Sequence, residues 1–234
     1  MSITRLQIER TAVKIPLGRI NLAADIAVPS FALGLVVFAH GSGSGRHSPR
    51  NRHVAEVLNR GGIATILIDL LTEQEESVDV QTSELRFDIG LLARRLVAIS
   101  DWIGRQPRLS ELGLGSFGAS TGAAAALVAA AEQPDIVQAV VSRGGRPDLA
   151  GDALRRVAAP TLFIVGSRDP VVLDLNYSAI ARLPRKTEHK LEIVSGASHL
   201  FEEAGTLDQV AILATDWFQK HLHSRSCSVT TPIF

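Results

Sequence analysis

Ser120 is the residue of this chain best placed to act as a nucleophile. It lies in the stretch "GASTG" (118–122), which has the G-x-S-x-G pattern. In that pattern a serine sits on a tight strand-to-helix turn, and glycines two residues before and after it let the strand and the helix pass closely. The hydroxyl could then attack a carbonyl carbon, provided that a base takes its proton. The alternative is a glycine-rich helix start at which Ser120 acts only as an N-cap.

His199 is the strongest candidate for that base among the seven histidines. It follows the last predicted strand, in the small-residue segment "SGASHLF" (195–201), which could place an imidazole above Ser120. His189 precedes the same strand and would therefore lie at the opposite end of the sheet. The other five histidines fit structural or surface roles better: His40, His47, His53, His221 and His223.

Asp169 is the candidate for an acid that orients the imidazole. It lies in "GSRDPVV" (166–172), after a buried run and before a helix whose first turn begins at Pro170. A carboxylate at this place could fix the tautomer of the base and stabilise the imidazolium that forms. Asp148 and Asp174 are competing carboxylates, and Asp169 could instead serve only as a helix N-cap.

The segment "HGSGSG" (40–45) predicts a glycine-rich loop that points backbone amides into the cleft. With the amide that follows the nucleophile, such a loop would bind the oxyanion of a tetrahedral intermediate. The expected donors are the backbone N–H groups of Ser42 and Thr121. The alternative is a plain turn, because glycines also supply flexibility alone.

These candidate residues all follow short apolar, β-branched runs, which are typical of strands buried on both faces. Segments with helical spacing separate the runs, and two alternating N-terminal runs around Pro16 and Gly18 predict a hairpin. The pattern predicts an α/β fold with a mostly parallel, doubly wound sheet of about eight strands, an antiparallel N-terminal edge and helices on both faces. The predicted strands are 5–15, 20–28, 33–39, 63–68, 112–117, 136–141, 161–166 and 190–194, and the predicted helices are 50–60, 85–105, 121–132, 171–182 and 207–222.

In such a sheet the ligand binds beyond the carboxyl ends of the strands, so the four polar segments are expected to meet at one edge. We expect a single domain over residues 1–223 and a polar tail over 224–234. The acidic segment 70–84 is predicted to be a loop that edges the cleft or lies solvated on the surface. Arg46, Arg50 and Arg52 could line the pocket, but surface solvation suits each of them better.

Composition excludes several other classes of protein. Lys plus Arg and Asp plus Glu number 24 each, so no basic field favours nucleic acid as a partner. No apolar run reaches the roughly 18 residues that a membrane span requires, and no signal peptide is evident. The only cysteine, Cys227, cannot form a disulfide within the chain. We therefore expect a cytoplasmic protein that binds no membrane.

Two sequence patterns suggest other ligands but lack the required context. Residues 113–118 spell G-x-G-x-x-G, yet the first two glycines lie inside an apolar run and do not open a helix. "GSGSGRHS" (41–48) lacks the Gly-Lys-Ser/Thr ending of a phosphate loop. No His-x-x-x-His pair with an intervening Glu and no cysteine cluster is present, so we expect no bound metal and no cofactor.

The segments "AHGSGSG", "GASTGA", "GSRDPVV" and "GASHLF" together resemble the dienelactone hydrolase-like branch of the α/β-hydrolases, over about residues 12–222. The order Ser, Asp, His along the chain is also that of the α/β-hydrolases. The resemblance implies an eight-stranded hydrolase sheet with little or no inserted cap domain and a cofactor-independent reaction on esters or lactones. Dienelactone hydrolase itself uses a cysteine nucleophile where this chain has Ser120, so lactone specificity is not carried over with the fold.

The leading hypothesis is a serine hydrolase that cleaves small or medium carboxylic esters, or lactones or thioesters, through an acyl-enzyme intermediate. Two alternatives remain open at this point. One is a non-catalytic binding protein on the same fold, and the other is a dinucleotide-binding oxidoreductase. Fold alone does not separate these activities, because one scaffold can carry many functions.

Overall fold

An eight-stranded β-sheet forms the centre of the protein in the computed structural model, which describes residues 7–224. The strand order is β1-β2-β4-β3-β5-β6-β7-β8. The strands are β1 (Ile8–Leu17), β2 (Ile20–Pro29), β3 (Gly34–Ala39), β4 (Ile63–Ile68), β5 (Gly113–Ala119), β6 (Val137–Arg143), β7 (Thr161–Gly166) and β8 (His189–Val194). Cys227 and the predicted tail beyond Ser224 lie outside the described residues.

Among the eight strands of the described sheet, β2 alone runs opposite to the others. The N-terminal hairpin β1–β2 is antiparallel, and β2 pairs antiparallel with β4. From β4 to β8 all neighbouring strands are parallel. The carboxyl ends of β3, β5, β6, β7 and β8 therefore open on the same edge of the sheet, and the predicted α/β-hydrolase fold is confirmed.

The first three α-helices begin where a local side chain satisfies a free backbone N–H group. Ser48 caps the first helix, with Pro49 in its first turn, and the Asp88 carboxylate caps the third by accepting a 2.8 Å hydrogen bond from the Leu91 amide. The α-helices are α1 (Pro49–Arg60), α2 (Glu73–Thr82), α3 (Ile89–Ile103), α4 (Thr121–Glu132), α5 (Pro170–Ile180) and α6 (Thr206–His221).

Two hydrophobic cores hold the helices against the two faces of the sheet. On one face, α3, α4 and α5 bury their apolar side chains against the strands. On the other face, α1 and α6 do so, with Leu58 and Phe218 fully buried. In four central strands, β3, β4, β5 and β7, every residue is buried. Both faces of the sheet are thus covered, which leaves its carboxyl edge as the place where polar residues can gather.

The prediction of a loop over residues 70–84 was wrong, because most of this segment is the helix α2. Thr72 and Glu75 form a capping box: the Thr72 hydroxyl accepts from the Glu75 amide at 3.2 Å, and the Glu75 carboxylate accepts from the Thr72 amide at 2.8 Å. The acidic first turn also suits the positive end of the helix dipole.

Two other helical segments differ from the prediction. The predicted helix over 85–105 is interrupted at Asp88, and a 3-10 segment, Pro147–Arg156, was not predicted. None of the helices described between residues 7 and 224 is long and apolar enough to cross a membrane.

A buried ion pair fixes the end of α2. The Asp79 carboxylate, only 3% exposed, accepts hydrogen bonds from the guanidinium and the backbone amide of Arg86. Burial by itself would raise the pKa of Asp79, but the hydrogen bonds from Arg86 outweigh it and hold the pKa below the usual 3.8. Because the pKa is lowered in the folded state, the pair stabilises the fold above about pH 4, and this stability is lost as the pH falls through the folded-state pKa.

We expect Arg86→Met to lower the free energy of unfolding at pH 7 by about 3 kcal/mol, because it leaves a buried carboxylate without its partner. Part of the loss should be regained as the pH is lowered towards 4, where the unpaired carboxyl of the variant takes up a proton. Urea unfolding at several pH values measures both effects. Arg108→Met is the matched control, since Arg108 pairs with Glu9 on the surface and should cost less than about 1 kcal/mol. Equal losses in the two variants would contradict this account of Asp79.

Candidate active site

Ser120 occupies the turn between β5 and α4, in a backbone conformation that L-residues seldom adopt. Its φ is 50° and its ψ is −121°. Three backbone hydrogen bonds hold this conformation: the Ser120 amide donates to the Arg143 carbonyl at 3.2 Å, and the Ser120 carbonyl accepts from Ala123 at 3.1 Å and Arg146 at 3.0 Å. Such a strained position persists only where the surroundings fix it, and strain of this kind is concentrated at functional sites.

The two glycines of the G-x-S-x-G pattern are required by close backbone contacts. A Cβ on Gly118 would lie 2.4 Å from the Cα of Ala123, and a Cβ on Gly122 would lie 2.2 Å from the carbonyl oxygen of Ala39. Both distances are far below van der Waals contact. Although Ser120 precedes α4 as its N-cap residue, its side chain makes no capping hydrogen bond. The geometry therefore favours a half-buried serine on a tight turn, with its hydroxyl not used in capping, over a simple helix cap.

His199 and Asp169 are in direct contact. The Nδ1 of His199 lies 2.6 Å from the Oδ2 of Asp169. An ionised carboxylate can only accept, so Nδ1 carries a proton, and in the neutral imidazole Nε2 then keeps a free lone pair. Asp169 stands at the N-cap position of α5 but makes no capping bond with its side chain. The competing acid Asp148 is instead held by two hydrogen bonds from Arg146, at 2.8 and 2.7 Å.

Backbone contacts tie together the two loops that carry His199 and Asp169. The Ser167 amide donates to the Val194 carbonyl at 3.0 Å, and the Arg168 amide donates to the Ala197 carbonyl at 2.9 Å. The Ser167 hydroxyl also accepts from the Gly196 amide at 2.8 Å. The imidazole and the carboxylate are therefore held by one connected pair of loops beyond β7 and β8.

The same edge brings the imidazole near the Ser120 turn. Gly144 follows Arg143, whose carbonyl accepts a hydrogen bond from the Ser120 amide. A Cβ on Gly144 would lie 3.6 Å from the Cε1 of His199. Within residues 7–224 the Ser120 hydroxyl makes no hydrogen bond to His199. His189 begins β8 and so lies at the opposite end of that strand.

The glycine loop after β3 reaches the Ser120 turn from the other side. A Cβ on Gly41 would lie 3.1 Å from the Cβ of Ser120. The Ser42 amide donates to the Thr121 hydroxyl at 3.1 Å, and Thr121 is buried. The backbone N–H of Thr121 has no acceptor in the described part of the chain, as expected for the first position of a helix. The structure thus brings Ser42 and Thr121 together. The Ser42 N–H donates to the Thr121 hydroxyl, a contact that was not predicted from the sequence.

His40 holds the start of the glycine loop through both of its ring nitrogens. Its Nε2 accepts a 2.9 Å hydrogen bond from the Leu70 amide, so its proton must be on Nδ1, which lies 3.0 Å from the Gly41 carbonyl oxygen. His40 is buried and has both ring nitrogens occupied. A structural role, as predicted from the sequence, fits these contacts.

A groove of about 480 Å³ has Ser42 in its lining but not Ser120, Asp169 or His199. Arg50 and Glu76 line it, so the segment predicted as a loop does edge a groove, but as the helix α2. Arg46 and Arg52 are not among its lining residues. Arg46 pairs with Asp69, which does line the groove, and Arg52 pairs with Asp25.

Sequence reasoning missed Arg143, the last residue of β6. It is 6% exposed and lies in contact with the Ser120 turn through its carbonyl group. A charge at the end of the apolar run "IVQAVVSR" (136–143) was the available signal.

Gly113, Gly115 and Gly118 all lie within β5, so the G-x-G-x-x-G sequence does not form a loop that opens a helix. In the region from Gln7 to Ser224, no three His, Cys, Asp or Glu side chains are grouped to hold a metal ion.

Comparison with solved structures shows the same architecture. A dienelactone hydrolase from Anabaena variabilis is 55% identical, with a TM-score of 0.90, over 93% of this chain and all of that one. Est1E from Butyrivibrio proteoclasticus is 17% identical, with a TM-score of 0.74, over 89% of this chain and 98% of that one. The second likeness is one of fold alone.

Two curated relatives come from Mycobacterium tuberculosis strains CDC 1551 and H37Rv and carry the provisional name phosphoribosyl transferase. Each is 57% identical over 210 residues, which is 90% of this chain but 46% of the relative. The chain therefore spans about half the length of the curated relatives that it matches. The family model for the dienelactone hydrolase family matches residues 24–222. On this match, and on the identity to the Anabaena protein, the chain belongs to the dienelactone hydrolase family.

Proposed function

We propose that this protein is a serine hydrolase that cleaves carboxylic esters through an acyl-enzyme intermediate. The observation that carries the proposal is the 2.6 Å contact between His199 and Asp169 beside a serine held on a strained turn. A base whose second ring nitrogen is fixed by a carboxylate, close to a serine hydroxyl, is the arrangement that activates serine. Membership of the dienelactone hydrolase family supports the hydrolytic reaction.

In the proposed reaction, the Ser120 oxygen attacks the acyl carbonyl while the Nε2 of His199 takes the hydroxyl proton. Asp169 keeps the proton of His199 on Nδ1 and stabilises the imidazolium by its negative charge. The tetrahedral intermediate then collapses, and His199 returns the proton to the leaving alcohol. Water repeats the cycle on the acyl-enzyme and releases the acid. The missing Ser120–His199 hydrogen bond is compatible with this role, because catalytic hydrogen bonds often tighten only with substrate bound.

The amides of Ser42 and Thr121 are proposed to bind the developing oxyanion. Thr121 begins α4, so its free N–H group and the positive end of the helix dipole face the region where charge develops. The Ser42 N–H donates a hydrogen bond to the Thr121 hydroxyl at 3.1 Å. We propose that this hydroxyl holds the loop against the helix and that the oxyanion then shares the Ser42 donor.

We propose carboxylic esters as the substrates, in preference to other compounds, for two reasons. Ser120 replaces the cysteine expected for dienelactone hydrolysis, and the groove beside Ser42 is open enough, at about 480 Å³, for small or medium acyl or alcohol groups. Lactones and thioesters would use the same machinery. The transferase name of the mycobacterial relatives is not extended to this chain, since more than half of each relative lies outside the match.

We expect Ser120→Ala to lower kcat for p-nitrophenyl acetate or butyrate by about 10⁴-fold or more, because it removes the nucleophile. Initial rates at saturating ester measure the loss, and circular dichroism checks that the variant is folded. Ser178→Ala, on the exposed surface of α5, is the matched control and should retain the parental rate. Unchanged turnover in Ser120→Ala would contradict the proposal, and no turnover of any activated ester by the parent would favour a non-catalytic binding protein.

The contact between Ser42 and Thr121 gives a second prediction. Thr121→Val keeps the shape of the side chain but removes the hydroxyl that holds the Ser42 amide. Loss of one such hydrogen bond, about 1 kcal/mol, should lower kcat about fivefold while KM changes little. Thr121→Ser restores the hydroxyl and should recover most of the rate. If the serine variant were no faster than the valine variant, the hydroxyl would have no role in positioning the loop.

A further inference from the structure

The outer side of β8 is a free edge of the sheet. β8 is the last strand in the order of the described sheet, and it pairs there with β7. The carbonyl groups of Glu188 and Val194 accept hydrogen bonds from the β7 side, at 2.9 and 3.0 Å. Since the backbone groups of successive strand residues point to opposite sides, His189, Leu191 and Ile193 direct their N–H and C=O groups away from β7. No hydrogen-bond partner for these outward groups lies within residues 7–224.

Charged and apolar side chains lie on opposite faces of this edge. Lys190 and Glu192 line a groove of about 310 Å³ between β8 and α6, and Trp217 lines it from the helix. The two charged groups form an ion pair at 2.5 Å, in which the Lys190 side chain is 60% exposed. On the other face Leu191 packs partly against the core, and Ile193 is 44% exposed. A strand with unpaired backbone groups and an exposed apolar side chain is a template for pairing with another strand.

The sequence of β8 is self-complementary when two copies pair antiparallel about a two-fold axis at Leu191. In that register Leu191 lies opposite Leu191 of the second copy, and His189 lies opposite Ile193. Lys190 lies opposite Glu192, and the symmetry produces this pair of opposite charges twice. Opposite charges at facing positions of two strands stabilise the pairing, whereas like charges destabilise it.

The backbone of β8 fits the same register. Because the outward groups belong to the odd-numbered residues, the Leu191 position and the two His189–Ile193 positions become hydrogen-bonded pairs. Lys190 and Glu192 then face each other at non-hydrogen-bonded positions, where Cα atoms are about 4.5 Å apart and side chains approach most closely. An axis at Lys190 would set two lysines opposite each other, and an axis at Glu192 would do the same with two glutamates. Of these three registers, only the one centred on Leu191 satisfies the charges.

We propose that β8 pairs antiparallel with β8 of a second copy of this chain, centred on Leu191, and so joins two eight-stranded sheets into one. This inference is independent of the proposed function. A specific interface usually buries at least about 1,000 Å², so the contact includes the groove between β8 and α6 as well as the strand. Because the paired strands run in opposite directions, the carboxyl edges of the two sheets face opposite ways, and both candidate active sites stay open.

Reversal of the facing charges tests this register. Sedimentation equilibrium of the full chain, over a range of micromolar concentrations, measures the dissociation constant of the dimer. We expect a dimeric parent, and we expect Lys190→Glu and Glu192→Lys each to raise the constant at least about tenfold, because each sets like charges opposite each other twice. The double variant Lys190→Glu/Glu192→Lys restores opposite charges in exchanged places, and its constant should return to within about threefold of the parent. Circular dichroism checks that each variant is folded.

Lys14→Glu is the matched control, since Lys14 is an exposed lysine on β1, the strand at the opposite edge of the sheet. Its dissociation constant should equal that of the parent. Hydrogen exchange then locates the interface within the chain. The amides of His189, Leu191 and Ile193 should exchange more slowly in the parent than in Lys190→Glu at the same concentration, because only the paired strand protects them.

Each outcome decides for or against the proposed interface. A parent that is monomeric throughout the concentration range overturns it and leaves the edge of β8 free for a different chain. A dimer that neither single reversal weakens, or that Lys14→Glu weakens equally, has its interface elsewhere and also overturns it. A folded double variant that dimerises no better than the single variants shows that Lys190 and Glu192 do not face each other across the axis.

Discussion

The close passage of β5, α4 and the end of β3 is the constraint on which the rest of the site depends. Side chains at Gly118 or Gly122 would penetrate the Cα of Ala123 or the carbonyl of Ala39, so only glycine permits this packing. With β5 and α4 this close, Ser120 takes a φ of 50° on the turn between them. The same packing sets the Thr121 amide at the start of a helix, beside the loop after β3.

The parallel half of the sheet then gathers the other groups at this turn. Because β3, β5, β6, β7 and β8 all run in one direction, their following loops share an edge. The loops after β7 and β8 are joined by backbone hydrogen bonds, which hold His199 on Asp169. The last residue of β6, Arg143, supports the serine turn with its carbonyl and stacks its side chain near Phe201, in the loop that carries His199. Each candidate group thus lies on a loop or turn that follows a strand of the parallel half of the sheet.

The sequence predicted the features that depend on local pattern. Buried strands such as β7 are continuous apolar runs, and the glycines around Ser120 reflect a local steric need, so both could be found without coordinates. The helix α2 was missed because it has almost no apolar periodicity: Val78 and Val80 are exposed and Asp79 is the one buried residue. The Thr72–Glu75 capping box was its only local signal. Contacts between distant segments, such as Ser42 with Thr121 or Arg143 with Asn51, depend on packing and could not be derived from spacing.

The central claim is that Ser120 is an activated nucleophile, and covalent labelling tests it most directly. The protein is treated with a fluorophosphonate, and intact mass and peptide mapping locate the adduct. We expect one adduct per chain, on the peptide that contains Ser120, with labelling abolished in Ser120→Ala and strongly slowed in His199→Ala. Stoichiometric labelling at another residue, or equal labelling of the parent and Ser120→Ala, would contradict the account.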